Sequence, residues 1–265
     1  MTKRVLSAAA IVIIFVPLLI IGGLPFTILM SILGLMALYE LVHIKESKKK
    51  LPLIVKLFAY VMVAFFTLTS PNTIDFTYSL DYRIMSIIIF AFLSPLVFIN
   101  NREKYSINDA LYLISAVLFI GLSFNLIIVT RNFDLHQIIY LFLITTITDT
   151  FALFTGMLVG KHKLTSISPK KTVEGLLGGT FMGTFVGVAF YHTVINPSMS
   201  LIFLIFITVM LSLVGQLGDL VFSAIKRYYD KKDFSDLIPG HGGILDRFDS
   251  IIFVVLAFII VLDIL

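Results

Sequence analysis

No cysteine occurs among the 265 residues. Disulfide and thiolate chemistry are therefore excluded, and the redox compartment leaves no mark on the chain. Tryptophan is absent too, so any interfacial aromatic anchors fall to tyrosine. Charge is scarce: 14% of residues, where a soluble domain carries roughly a quarter. Hydrophobic residues make up 58%. They form long continuous runs, unlike the short alternating segments of a membrane barrel. Helices remain, because lipid offers backbone N–H and C=O groups no other way to be satisfied. The expected class is an all-α, polytopic integral membrane protein. The first apolar run follows Lys3 and Arg4 without a small-x-small cleavage site, so it reads as a retained span.

A span needs roughly 20 apolar residues. Nine runs qualify, at 5–21, 25–43, 52–70, 84–100, 109–130, 135–159, 173–193, 200–226 and 250–265. With the N-terminus in the cytoplasm, the basic residues fall almost entirely on that side. Of the 20 Lys and Arg residues, only Arg83 and Arg131 lie in outer segments, and Lys56 sits inside the third run. This asymmetry predicts about nine transmembrane helices, N-terminus cytoplasmic and C-terminus outside, in the cell (inner) membrane. The long polar loops, 160–172 and 227–249, are both inside, so the chemistry is expected to face the cytoplasm. Residues 1–135 read as a lipid-facing scaffold and 136–265 as the catalytic part. The outer stretch 71–83 reads as a linker. The lysines fit membrane topology, which leaves nucleic-acid binding without support.

Gly175, Gly179, Gly183 and Gly187 recur every four residues along one helix face. Such a stripe lets a neighbouring helix approach closely. The neighbour is either another span or a second copy of the chain in a homodimer. A phosphate-cradling reading fails, because the G-x-x-x-x-G-K-[ST] order is missing.

Carboxylates inside apolar runs are expensive, so they are paired or functional. Asp149 and Asp219 are two such groups. Asp219, Ser223, Lys226 and Asp230 share one helix face. Asp246 and Asp249 follow in "ILDRFDS", three residues apart, flanking Arg247. N-capping explains one acid there, not two. Three carboxylates, Asp219, Asp246 and Asp249, are expected to converge at the cytoplasmic edge, with Asp149 a further candidate. Oxygen ligands in that number suit Mg²⁺, which bridges phosphates. Gly242 and Gly243 would let backbone N–H groups approach an anion. Lys226, Arg227, Arg247 and His241 supply counter-charge for phosphate. Glu40, His43, His192 and Asp263 lie near span boundaries, where interfacial hydration accounts for them.

The stretch "SAIKRYYDKKDFSDLIPGHGGILDRFDS" (223–250) resembles the signature of the phosphatidate cytidylyltransferases, or CDP-diacylglycerol synthases. Its S-x-x-K-R, K-D and P-x-H-G-G-x-x-D-R-x-D positions are all matched. "DTFALFTGMLVGKHKLTSISPKKTVEG" (149–175) is similar to the family's second segment, with Asp149, Gly156, Ser168, Lys170, Lys171, Thr172 and Glu174 in place. The aromatic usual near Ala152 is Phe154 here. The first 140 residues match only as hydrophobic spans. The resemblance implies an Mg²⁺-dependent membrane enzyme that joins CTP to phosphatidic acid, giving CDP-diacylglycerol and pyrophosphate. It implies that Asp219, Lys226, Asp246, Arg247 and Asp249 are catalytic, with Asp219, Asp246 and Asp249 on metal. It also implies that Ser168, Lys170, Lys171, Thr172, Glu174, Ser223, Arg227, His241, Gly242 and Gly243 meet CTP or phosphatidate. A second cation fits the same cluster. The rival readings are a cation-coupled transporter, which calls for an internal repeat that the chain lacks, and another CTP-dependent lipid kinase.

Overall fold

The computed structural model describes residues 2–69, 82–99, 103–238, 240 and 242–261. His241, Pro239, Asp263 and most of the 71–83 linker lie outside them. The chain is all-α, and its contacts divide it into two compact units.

The first unit comprises residues 1–133 together with 233–244. It contains α1 (Thr2–Ile21), α2 (Gly23–Glu46), α3 (Leu53–Leu68), α4 (Tyr82–Leu93), α5 (Pro95–Phe98) and α6 (Ile107–Phe133). Its core forms where α2, α3 and α6 meet, with Phe26, Leu38, Val63, Ile120 and Phe124 fully buried. The turn between α1 and α2 rests on Gly22, whose φ of 68° suits glycine. The Arg131 guanidinium fills the space beside it. Nε donates to Leu19 O at 2.7 Å and Nη2 to Ile20 O at 2.6 Å, satisfying carbonyls that end α1 without intrahelical partners. At the start of α6, Asp109 is almost wholly buried and accepts from Lys45 at 3.1 Å and from the Ser106 hydroxyl at 2.7 Å. The expected fourth span is broken. α4 ends at Leu93 and a short α5 begins at Pro95, since proline has no N–H to continue the ladder.

The second unit comprises residues 134–232 and 245–265. It contains α7 (Leu135–Val159), α8 (Val173–Phe190), α9 (Leu201–Tyr228) and α10 (Leu245–Val261). A π turn, Tyr191–Ile195, extends α8. Asp134 caps α7 by accepting from His136 N at 2.9 Å, and Thr172 caps α8 by accepting from Gly175 N at 3.1 Å. Buried hydroxyls meet in pairs between α7 and α9: Tyr140 with Thr208 at 2.7 Å, Thr148 with Ser212 at 2.8 Å. Each is satisfied where lipid and packed side chains offer no water.

The glycine stripe of α8 finds its neighbour in α7. A Cβ on Gly175 would stand 2.6 Å from Ala152 O, and one on Gly179 2.6 Å from Thr148 O. The stripe therefore serves another span of the same chain. α9 and α10 approach each other in the same way. A Cβ on Gly218 would stand 2.7 Å from Asp249 O.

Among the described residues, five helices are long and apolar enough to cross a membrane: α2, α6, α7, α8 with its π turn, and α9. The apolar parts of α1, α3 and the α4–α5 segment are shorter. Large apolar side chains on the helices face outward, among them Ile13, Phe90, Phe181 and Ile202. An outer surface of this kind is stable in lipid and a liability in water. The protein is a polytopic helical membrane protein.

Candidate active site

α10 begins at Leu245, five residues before the expected span, so Asp246 and Asp249 stand in its first turns. Acids there are favoured by the unpaired N–H groups of the helix start. Lys226 and Arg227 end α9, where cations are favoured for the converse reason. Lys226 Nζ donates to Asp246 Oδ1 at 2.6 Å, and both side chains are buried. Asp219 lies nine residues before the end of α9, roughly 14 Å at 1.5 Å per residue. Ser223, one turn on, donates to Asp219 Oδ1 at 3.4 Å.

Gly218 explains why Asp219 and Asp249 are neighbours. Without a side chain at 218, the α10 backbone reaches α9 at Asp249. Asp149, on α7, accepts from the Ser250 hydroxyl at 3.1 Å. Asp249 consequently feels the negative charges of both Asp219 and Asp149, offset in part by Lys226. The three acids come from three helices and bear on one another electrostatically. They are not drawn into a ready-made cage: among the described residues no three acidic or histidine side chains stand close enough to hold an ion.

No basic residue lies within one turn of Asp219 on its own helix. The structure provides Lys171, whose Nζ is 2.5 Å from Asp219 Oδ2. Lys171 is placed by a small hairpin in the 160–172 loop. Leu164 N donates to Lys171 O at 2.9 Å, and Val173 N to His162 O at 2.9 Å. Glu174 locks the base of that hairpin, accepting from Lys161 N at 3.1 Å and from His162 Nδ1 at 2.6 Å.

A cavity of about 610 Å³ opens here, large enough for a small-molecule substrate. Asp149, Asp219, Ser168, Lys170, Lys171 and Thr172 all line it. Its other wall is apolar, with Leu153 and Met157 strongly exposed along α7. Polar and basic groups thus face a carboxylate pair on one side, and hydrocarbon flanks them on the other. Such a site accommodates an anion attached to an apolar body.

Among the described residues, the other expected ones do not line the cavity themselves. Glu174 is occupied with the hairpin, and Ser223 with Asp219. Arg227 is exposed and donates to Lys231 O at 2.8 Å, closing the end of α9. Arg247 is exposed. His241 is outside the described residues. Gly242 and Gly243 belong to the first unit. Gly242 has φ 80° and its carbonyl accepts from Ile238 N at 2.9 Å. Gly243 lies against the carboxylate of Glu40. Interfacial hydration does not account for Glu40: it is fully buried, accepting from Ser235 Oγ at 2.6 Å and from Ile244 N at 2.8 Å.

Sequence reasoning missed Gln216, Gly218 and Ser250. Gln216 lines the cavity and donates to Thr180 Oγ1 at 2.9 Å. Its signal was available: an amide one turn before an intramembrane acid, in "GQLGD".

The chain matches the model of the cytidylyltransferase family over residues 2–265. It is 37% identical over 256 residues to a phosphatidate cytidylyltransferase of Staphylococcus aureus, covering 96% of each chain. It is 39% identical over 259 residues to a phosphatidate cytidylyltransferase of Bacillus subtilis, covering 96% of this chain and 94% of that one. A third relative with the same name, from Staphylococcus haemolyticus, is 36% identical over 96% of both chains.

Proposed function

Because this chain belongs to the cytidylyltransferase family, we propose that it transfers the cytidylyl group of CTP to phosphatidic acid, for phospholipid synthesis. An oxygen of the phosphatidate phosphate forms a bond to the α-phosphorus of CTP. The bond from that phosphorus to the bridging oxygen breaks, and pyrophosphate leaves with it. The products are CDP-diacylglycerol and pyrophosphate. No base is required, since phosphatidate is already anionic near neutral pH.

The observation that carries this reading is the cavity in the second unit. It joins Lys170, Lys171, Ser168 and the start of α8 to Asp149 and Asp219, beside an apolar wall. Transfer at phosphorus needs positioning and charge neutralisation more than covalent help. Lys170 and Lys171, with N–H groups at the head of α8, bind the triphosphate. Lys171 leaves Asp219 to do so. Leu153 and Met157 receive the hydrocarbon of the lipid. Lys226 and Arg247 neutralise phosphate, and Ser223 and Thr172 orient the groups around it.

The donor set suits Mg²⁺. Asp149, Asp219 and Asp249 offer hard oxygens, and their mutual repulsion, offset only in part by Lys171 and Lys226, would favour a bound cation. These three would hold it once drawn together, joined by Asp246 if Lys226 released it, and a second ion would call on the same acids. When bound, the ion supplies positive charge to the α-phosphate and the leaving oxygens.

The full topology follows the basic residues: nine spans, N-terminus in the cytoplasm, C-terminus outside, in the inner membrane with the site facing the cytoplasm. The glycine stripe is consumed inside the chain and gives a homodimer no special face.

Purified protein in detergent, given CTP, phosphatidate and Mg²⁺, should release liponucleotide and pyrophosphate in equal amounts. Chelation should stop turnover and added Mg²⁺ restore it. Substrate flux across vesicles without nucleotide, and no liponucleotide, would overturn the reading in favour of a transporter.

A further inference from the structure

The H-G-G-x-x-D-R-x-D segment invites the assumption that its glycines serve a substrate phosphate. The second of them already serves an anion, and that anion is part of the protein. A Cβ on Gly243 would fall on the Glu40 carboxylate. Glu40 lies in α2, six residues before its end and about 200 residues away in sequence. No part of it is accessible. A buried carboxylate is tolerated only when donors surround it. Two of its donors come from the segment that contains Gly243: the Ser235 hydroxyl at 2.6 Å and the Ile244 N–H at 2.8 Å.

These contacts bracket residues 235–244 at both ends. Between them the backbone is turned by Gly240 at φ 79° and Gly242 at φ 80°. A positive φ is open to glycine at little cost, so these two positions do not by themselves fix the turn. Phe234, beside Ser235, is buried and assists at one end. Residues 233–244 accordingly group with the N-terminal helices, although in sequence they lie between α9 and α10. Ile244, held by Glu40, is followed after one residue by Asp246.

We propose that Glu40 is a positioning residue for cytidylyl transfer, acting through the 235–244 segment, and that Gly243 is glycine to admit the Glu40 carboxylate. The proposal rests on the cytidylyltransferase reading for its kinetic part only. The clamp itself is a property of the resting protein and is measurable without turnover. Charge-assisted hydrogen bonds to a buried carboxylate are strong, and removing the charge leaves donors poorly matched. Loss of the clamp removes the hydrogen bonds that hold Ser235 and Ile244, the latter two residues before Asp246. It affects the frequency with which the site is correctly assembled, hence kcat more than the KM for CTP.

The test uses full-length protein in detergent. Glu40→Gln is expected to lower kcat by ~10-fold or more while the KM for CTP changes less, on the scale of one charge-assisted hydrogen bond. Thermolysin should cut at exposed Leu237 faster in Glu40→Gln than in the unaltered protein, with no substrate present. Gly243→Ala alone should lose activity, because the new methyl displaces a held carboxylate. Shortening the acid as well, in the Glu40→Asp/Gly243→Ala protein, should recover part of it. Recovery by a second change at 40 is specific to this contact; general damage would add instead. Wild-type kcat and wild-type cleavage in Glu40→Gln would overturn the proposal. So would a Gly243→Ala defect indifferent to the residue at 40. If Glu40→Gln fails to insert, Ser235→Ala removes one donor more gently, and a normal cleavage rate there overturns the clamp. Absence of liponucleotide from the unaltered protein would sink the enzymatic reading while leaving the cleavage experiment decisive for the clamp.

Discussion

Lys226 and Asp246 are joined by a 2.6 Å ion pair that ties the last turn of α9 to the first turn of α10, with side-chain exposures of 10% and 5%. Removing one partner leaves the other charged in a dry place. Lys226→Met should therefore destabilise the protein by about 3–5 kcal/mol. The Lys226→Met/Asp246→Leu protein should regain much of that loss, because neither charge is then stranded. Thermal unfolding in detergent measures both. Both variants should be inactive, the double one despite its regained stability, if Lys226 and Asp246 belong to the reaction.

Asp219 and Lys171 form the second pair, on the cavity wall. Asp219→Asn should cut turnover by ~100-fold or more, the scale for losing one electrostatic contact with a transition state. Lys171→Gln should instead raise the KM for CTP, since its ammonium is assigned to the triphosphate. Equal effects of the two changes on KM would show that the residues act only on each other.

Gly183 presses α8 against α7 where Thr148 also meets Ser212. Gly183→Val forces a branched side chain into that contact. The expected cost is about 1–3 kcal/mol, as for other overpacked interiors. Gly178→Ala should hurt less because it adds one carbon where valine adds three, though that carbon still meets the Thr155 Cβ, which no rotation moves, at 2.7 Å. Comparing melting temperatures of the two variants checks the order.

A chain without cysteine is ready for topology mapping. Lys48→Cys should react with an impermeant thiol reagent only when the cytoplasmic face is accessible. Asn196→Cys, in the turn after α8, should react from the outside of intact cells. Labelling of both from the same side would remove one span from the proposed topology.

Much of this was legible because lipid simplifies the code. An apolar run that must satisfy its own backbone is a helix, and each expected run carries helix where the structure describes it, the fourth interrupted before Pro95. Asp149 and Asp219 announced themselves by the cost of their placement, and both line the cavity. The partner of Asp219 was hidden, because Lys171 reaches it through a hairpin in a polar loop that has no periodicity to read. Gly218 was overlooked since a single small residue carries no pattern, unlike the four evenly spaced glycines of α8. Glu40 was misread for a related reason. Sequence gives the depth of a charge along its helix but not what covers it, and the Ser235 hydroxyl and Ile244 N–H come from the far end of the chain.

α7 and α8 meet through main chain more than through interleaved side chains, at Gly175 against Ala152 and Gly179 against Thr148. A joint of that kind has no rotamers to change and no gap to slide into. The pair behaves as one strut, carrying Asp149 and the head of α8 at a constant separation. Admission of a bulky lipid headgroup and a nucleotide must then come from elsewhere around the pocket, by lifting the 160–172 hairpin or by a lean of α9.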